Sequence, residues 1–215
     1  MVTGLFWSVE QSMAYILIPW IFIIAIFSGI GFFWRRAFGL RKITIEACFQ
    51  AFWLGYASAI MVLQLWHFWF KVDVFALVLI VLIGISGLIW NSRNLYQFVF
   101  SGFKRNIPIL LIILFIGWWL SNRATGQVGP FDAGLYHLQL VMWFSKYPLI
   151  PGLGNLHGRF AFNNSHFLYA ALLDVGPWAK KSYVIANGAF MYVLIAQVVL
   201  YIMKLVKGPD GRRSY

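Results

Sequence analysis

Apolar residues in this chain fall into long uninterrupted blocks. The stretches 13–34, 47–70, 74–90, 106–122 and 182–203 contain no Asp, Glu, Lys or Arg. A helix needs about 17–25 predominantly apolar residues to cross the hydrocarbon core of a bilayer. The blocks at 47–70 and 182–203 exceed that length, whereas 74–90 and 106–122 are at its lower limit. A sixth stretch, 160–178, is interrupted by Asp174 and reads either as a crossing segment or as one that only dips in. Lipid cannot satisfy free backbone groups, so helices are the expected form. A membrane β-barrel would need alternating segments of about ten residues, and these runs are continuously apolar. The pattern predicts an all-α, polytopic membrane helix bundle with five to six transmembrane helices, forming one membrane domain over 1–215.

Composition agrees with this reading. The chain is 61% hydrophobic and 11% charged, with a mean hydropathy of +0.77. Soluble domains are about 45–50% apolar and about 25% charged. Residues 1–12 carry no Lys or Arg and end near Glu10, so the first block does not read as a cleavable signal. The single Cys48 excludes an intrachain disulfide and reads as a small apolar side chain.

The net charge of +11 is distributed around the ends of the blocks. That placement fits membrane topology and anionic headgroups, and no nucleic-acid partner is expected. Arg35, Arg36, Arg41 and Lys42 follow the first block, and Arg93, Lys104 and Arg105 follow the third. By the positive-inside rule these connections are cytoplasmic. The N-terminus, the turn at 71–73 and the loop at 121–165 are then expected outside. If 160–178 crosses, the basic residues divide nine inside to eight outside; if it only dips in, they divide eleven to six.

The 121–165 loop is the candidate functional segment. It carries Asp132, His137, Asn155, His157, Arg159, Asn163 and Asn164 between long apolar runs. Residues 133–146 are expected to form a helix lying on the membrane. Helical spacing would align Asp132, Tyr136, Gln139 and Trp143 on one stripe. An acid, a phenol, an amide and an indole suit a sugar or a polar headgroup, the rings stacking and the amide hydrogen-bonding. Asp132 also reads as a helix N-cap, Tyr136 and Trp143 as interfacial belt aromatics, and His137 as an interfacial histidine.

A second cluster comes next, PGLGNLHGRFAFNNS over 151–165. Gly152, Gly154 and Gly158 permit tight turns and close approach of backbone to a ligand. They lack the Lys-Ser or Lys-Thr of a nucleotide P-loop. Arg159 stands where the chain re-enters the membrane; its guanidinium suits a bidentate phosphate contact or snorkelling to headgroups. Asn163, Asn164 and Ser165 open an apolar segment and suit a helix cap. His137 and His157 lack metal-site spacing, and no metal or other cofactor is expected.

The segments FDAGLYHLQLVMWF, PLIPGLGNLHGRFAFNNSHFLYAALLD and GPW resemble the early portion of GT-C-type polytopic glycosyltransferases. They are particularly similar to a family of uncharacterised bacterial multi-pass membrane proteins with the same D-x-G-L-Y-H and G-L-x-N-L-H-x-R-F pattern. The resemblance covers roughly residues 120–205. It implies the front part of a longer protein in a bacterial inner membrane, with a sugar donor on a polyprenyl phosphate and a glycan acceptor. Here the loop comes after the fourth span, whereas GT-C enzymes carry it after the first. By the resemblance, Asp132 would activate the acceptor hydroxyl, and His137 is the second catalytic candidate. Arg159 and His157 would stabilise the leaving phosphate. Tyr136, Gln139 and Trp143 would flank the sugar, and Asn155, Asn163 and Asn164 would complete substrate binding. An enzyme of the O-antigen polymerase or ligase kind would also use an outward loop with Arg and His. A transporter or scaffold is the third reading; the spans hold little polar besides Gln64, His67 and Gln197, which argues against ion coupling.

Overall fold

The computed structural model describes residues 13–103, 107–125, 133–161, 164–176, 178–179 and 182–206. Among these the chain is all-helical. Its elements are α1 (Met13–Ala37), α2 (Ile45–His67), α3 (Val74–Trp90), α4 (Ser92–Phe103), α5 (Ile107–Ala124), a π turn (Ala133–His137), α6 (Leu138–Lys146), α7 (His166–Leu173) and α8 (Ser182–Val206). Two short 3-10 turns, Leu153–Asn155 and Gly158–Ala161, lie between α6 and α7.

Local chemistry sets several of these boundaries. The Ala47 N–H donates to Thr44 Oγ1 at 3.1 Å and starts α2. The Phe75 N–H donates to Asp73 Oδ1 at 3.0 Å and starts α3. At the far end of α3 the Asn91 amide turns back, donating to the carbonyls of Gly87 at 2.9 Å and Phe32 at 3.2 Å. The chain bends there by 66° into α4.

α1 is the central helix, packed against α2, α3, α5 and α8. Small residues let the backbones approach closely, as is common between membrane helices. A Cβ on Gly55 of α2 would collide with the Phe27 carbonyl of α1, and one on Gly87 of α3 with the Gly29 carbonyl. The fully buried Trp20 donates its indole N–H to the Ile185 carbonyl at 3.0 Å and ties α1 to the first turn of α8. Large apolar side chains such as Phe75, Leu82, Phe115 and Val198 point outward, as lipid-facing surfaces require.

Three helices, α1, α2 and α8, are long and apolar enough to cross a membrane. α3 and α4 reach that standard only as a bent pair, and the apolar part of α5 is shorter. The chain is a helical membrane protein. Its structure departs from the sequence pattern in two places. Residues 92–103 form a helix where a plain connection was expected. Within 160–178, the described α-helix covers only His166–Leu173, about 12 Å at 1.5 Å per residue, too short to cross.

The two ends of the bundle are chemically distinct. At one, Arg35 and Arg36 close α1, Asn94 donates to the Arg41 carbonyl at 3.1 Å, and Lys204 of α8 pairs with Glu46 of α2. We call this the basic face. At the other, the Val72 N–H donates to the Phe144 carbonyl at 2.9 Å, and the Leu149 N–H to the His67 carbonyl at 2.8 Å. These bonds seat α6 and the adjoining loop on the turn between α2 and α3. α8 starts at this loop face, where Ser182 donates to Asp174 at 3.1 Å, and ends at the basic face. α7 is a short helix buried within the bundle.

Candidate functional site

The π turn decides which loop residues meet. A π turn adds a residue to the helical circuit and shifts the phase of the helix after it. The buried positions become Tyr136, Leu140 and Val141, while Gln139 is exposed. The expected Tyr136–Gln139–Trp143 stripe is thus divided. Trp143 lies against Tyr147, ring centres 5.2 Å apart, and lines the cavity beside the Arg159 cluster. Asp132 and Asn163 lie outside the described residues.

Tyr136 instead meets the second cluster. Arg159 donates from Nη1 to the Tyr136 hydroxyl at 3.0 Å, and its guanidinium carbon lies 4.9 Å from the ring centre. The His157 ring is nearly parallel to that of Tyr136 at 6.5 Å, and His157 Nδ1 accepts from the Arg159 backbone N–H at 3.3 Å. His137 packs edge-on to Tyr136 at 4.3 Å and lies 5.2 Å from Phe167. Four of the expected residues, Tyr136, His137, His157 and Arg159, are brought together. Asn155 is exposed, its N–H bonded to the Gly152 carbonyl at 2.8 Å. Gly152 makes that turn at φ +80°, a left-handed conformation suited to glycine. Asn164 stands just before Ser165, the N-cap position of α7, and its Oδ1 accepts from the His166 N–H at 3.1 Å.

Beside this cluster is a cavity of about 510 Å³ between the end of α2, α6 and the start of α7. Its wall is mostly apolar, with Met61, Leu65, Phe144, Leu149 and Leu168 prominent. Gln64, His67, Asn164 and Ser165 supply the polar positions. Phe160 and Ala161, which directly follow Arg159, form part of the wall. The arrangement can hold an apolar chain within the cavity and an anionic oxygen at the guanidinium, whose fork matches phosphate geometry.

A second polar group lies between α2, α7 and α8. His166 Nδ1 is 3.3 Å from the Tyr56 hydroxyl, and His166 Nε2 is 3.0 Å from Asn187 Oδ1. Burial lowers the His166 pKa, and the Asn187 hydrogen bond opposes that shift. Tyr169, Tyr56 and Phe190 surround the imidazole with rings. None of these residues stood out in the sequence. Their only signal was His166 directly after Asn-Asn-Ser, at the head of a run that otherwise reads as apolar filler.

Fold and site together define a helical membrane protein with a structured polar loop over one end of its bundle. The chain belongs to the family described as Domain of unknown function (DUF8201), whose family model matches residues 13–210. No curated protein and no solved structure matches the chain.

Proposed function

We propose that this protein handles a lipid-linked phosphate substrate at its loop face, as a glycosyltransferase moving a sugar from a polyprenyl-phosphate donor to an acceptor. The observation that carries this reading is the Arg159–Tyr136 pair next to a cavity with a mainly apolar wall. A polyprenyl chain needs such a wall. Its phosphate needs a preorganised cation, because charge develops on the leaving oxygen during transfer. Asp132, directly before the π turn, is the candidate base, and such a group needs only hydrogen-bond reach to the acceptor hydroxyl.

The same reading gives a topology. α1, α2, α3, α5 and α8 each cross, α4 lies along the cytoplasmic surface, and α7 dips in from outside. The loop face is extracytoplasmic in a bacterial inner membrane. Basic residues then divide eleven inside to six outside, the stronger of the two biases.

Binding of a polyprenyl phosphate to the purified protein tests the site. Arg159→Lys keeps the charge but loses the fork, and weaker binding is the expected result. Unchanged binding would leave only a snorkelling role for Arg159. A polymerase- or ligase-like enzyme is the second reading, favoured by the adjacency of Arg159 and His157. It predicts that both are essential while Asp132 is dispensable.

A further inference from the structure

Arg35, in the last turn of α1, is a cation without an acidic partner among the described residues. Its Nη1 donates to Gln50 Oε1 at 2.6 Å and its Nη2 to the Lys42 carbonyl at 3.3 Å, both neutral acceptors. Its Nε is buried and makes no hydrogen bond. Glu46 stands nearby, but its carboxylate is paired with Lys204. A guanidinium has five N–H donors, so two bonds to neutral groups leave its charge and several donors unused.

This guanidinium lines a cavity of about 440 Å³ between the end of α1, the start of α2 and the last turns of α8. Phe38, Leu40, Phe49 and Leu54 give the cavity an apolar side. Its inner polar groups are neutral and already joined, the Trp53 indole donating to Gln197 Oε1 at 3.0 Å. Gln50 spends its oxygen on Arg35, which leaves its amide N–H donors beside the guanidinium. Lys204 is held close by through two lining residues, Glu46 and the Tyr201 ring, whose centre is 6.0 Å from Nζ.

Two helices fix the level of the cavity. Arg35 is two residues from the end of α1, and Glu46 is one residue from the start of α2. Both helices are long and apolar enough to cross a membrane, so their joined ends lie at headgroup level. From Glu46, Gln50 is about 6 Å and Trp53 about 10 Å further in, at 1.5 Å per residue. The cavity thus has a cation at headgroup level and an apolar wall running inward, which is the plan of a phospholipid. Basic pockets between membrane helices suit anionic headgroups. A zwitterionic headgroup brings its own ammonium to its phosphate, whereas an anionic one needs a counter-charge, and Arg35 is a charge that needs a partner.

We propose that this α1–α2–α8 cavity at the basic face binds one anionic phospholipid, its phosphate on Arg35 and Gln50 and the start of an acyl chain along Phe49 and Leu54. The site is at the opposite end of the bundle from Arg159 and does not depend on the glycosyl-transfer reading.

The test separates this site from the general attraction of a basic face. The full chain is placed in nanodiscs of mixed phosphatidylglycerol and phosphatidylcholine with identical chains, and lipid retained after transfer to detergent is counted by native mass spectrometry. The wild type is expected to retain the anionic lipid about tenfold better, the effect of one net hydrogen bond to a charged group. Arg36 is the matched control: it is the next residue of the same turn, lies 5.8 Å from the Trp90 ring centre and does not line the cavity. Arg36→Gln should keep the preference and Arg35→Gln should remove it. Arg35→Lys should keep only part of it, since an ammonium lacks the fork. Equal retention of the two lipids by the wild type would overturn the proposal without any variant having to fold. A preference that survives Arg35→Gln, or one that falls equally in Arg35→Gln and Arg36→Gln, would overturn it as well.

Discussion

Arg159 and Tyr136 are 23 residues apart in the chain, yet the guanidinium both donates to the tyrosine hydroxyl at 3.0 Å and lies 4.9 Å from its ring centre. The pair joins the two halves of the loop. Tyr136 is mostly buried at 6% exposure, so it provides a fixed platform for the more exposed Arg159. Tyr136→Phe keeps the ring under the cation and removes only the hydroxyl. It is expected to weaken polyprenyl-phosphate binding modestly, about threefold to tenfold for one lost hydrogen bond, whereas Tyr136→Ala should cost more. Binding isotherms on the purified protein in neutral-lipid nanodiscs check this. Equal affinities for wild type and Tyr136→Ala would remove Tyr136 from the site.

Topology gives a second expectation. Leu156 is exposed in the loop, Ser92 starts α4, and Ser214 is in the C-terminal tail. In a Cys48→Ala background, Leu156→Cys should react with an impermeant thiol reagent from outside. Ser92→Cys and Ser214→Cys should react only after the membrane is opened. Outside labelling of Ser214→Cys would mean that the 160–178 stretch crosses.

Helix packing gives a third. Any side chain at Gly55 meets the Phe27 carbonyl, which belongs to backbone and cannot swing away. Gly55→Val is expected to destabilise the bundle by about 1–3 kcal/mol or more, as overpacked sites do. Thermal unfolding in detergent should show a clear drop in midpoint. Met191→Val, on the exposed side of α8, should change it little.

The indole of Trp20 gives a fourth. Trp20→Phe retains most of the ring but loses the bond to the Ile185 carbonyl and leaves that acceptor buried. A loss of about 1–3 kcal/mol is expected, read by the same unfolding measurement. No change in midpoint would show that the α1–α8 contact rests on packing alone.

Much of the fold was legible in the pattern of apolar blocks. The stretches 13–34, 47–70 and 182–203 fall within or close to α1, α2 and α8, because a charge-free run of that length has few other stable forms. α4 was hidden because SRNLYQFVFSGF is amphipathic and not continuously apolar. α7 was legible only as alternatives, since local sequence does not say whether a short greasy segment crosses or turns back. The Ser182–Asp174 and Lys204–Glu46 pairs at the two ends of α8 support the proposed reading in which α7 turns back. In the site, the residue types were readable but not their partners. The one-residue phase shift of the π turn separates Tyr136 from Gln139 and Trp143 and joins it to Arg159. The Tyr56–His166–Asn187 group needed three elements to meet, which no local pattern encodes.

The most direct test of the central proposal is sugar transfer itself. Membranes containing the full reading frame are given a polyprenyl-phosphate donor with a labelled sugar, and incorporation into acceptor is counted. Asp132→Asn keeps the size of the side chain and caps a helix about as well as Asp, so insertion and folding should be preserved. The wild type is expected to transfer sugar, and Asp132→Asn to lose about 10²–10⁴-fold of that rate, the range for removal of a general base. Wild-type rates in Asp132→Asn, or no transfer by the wild type from any polyprenyl-phosphate sugar, would contradict the proposal.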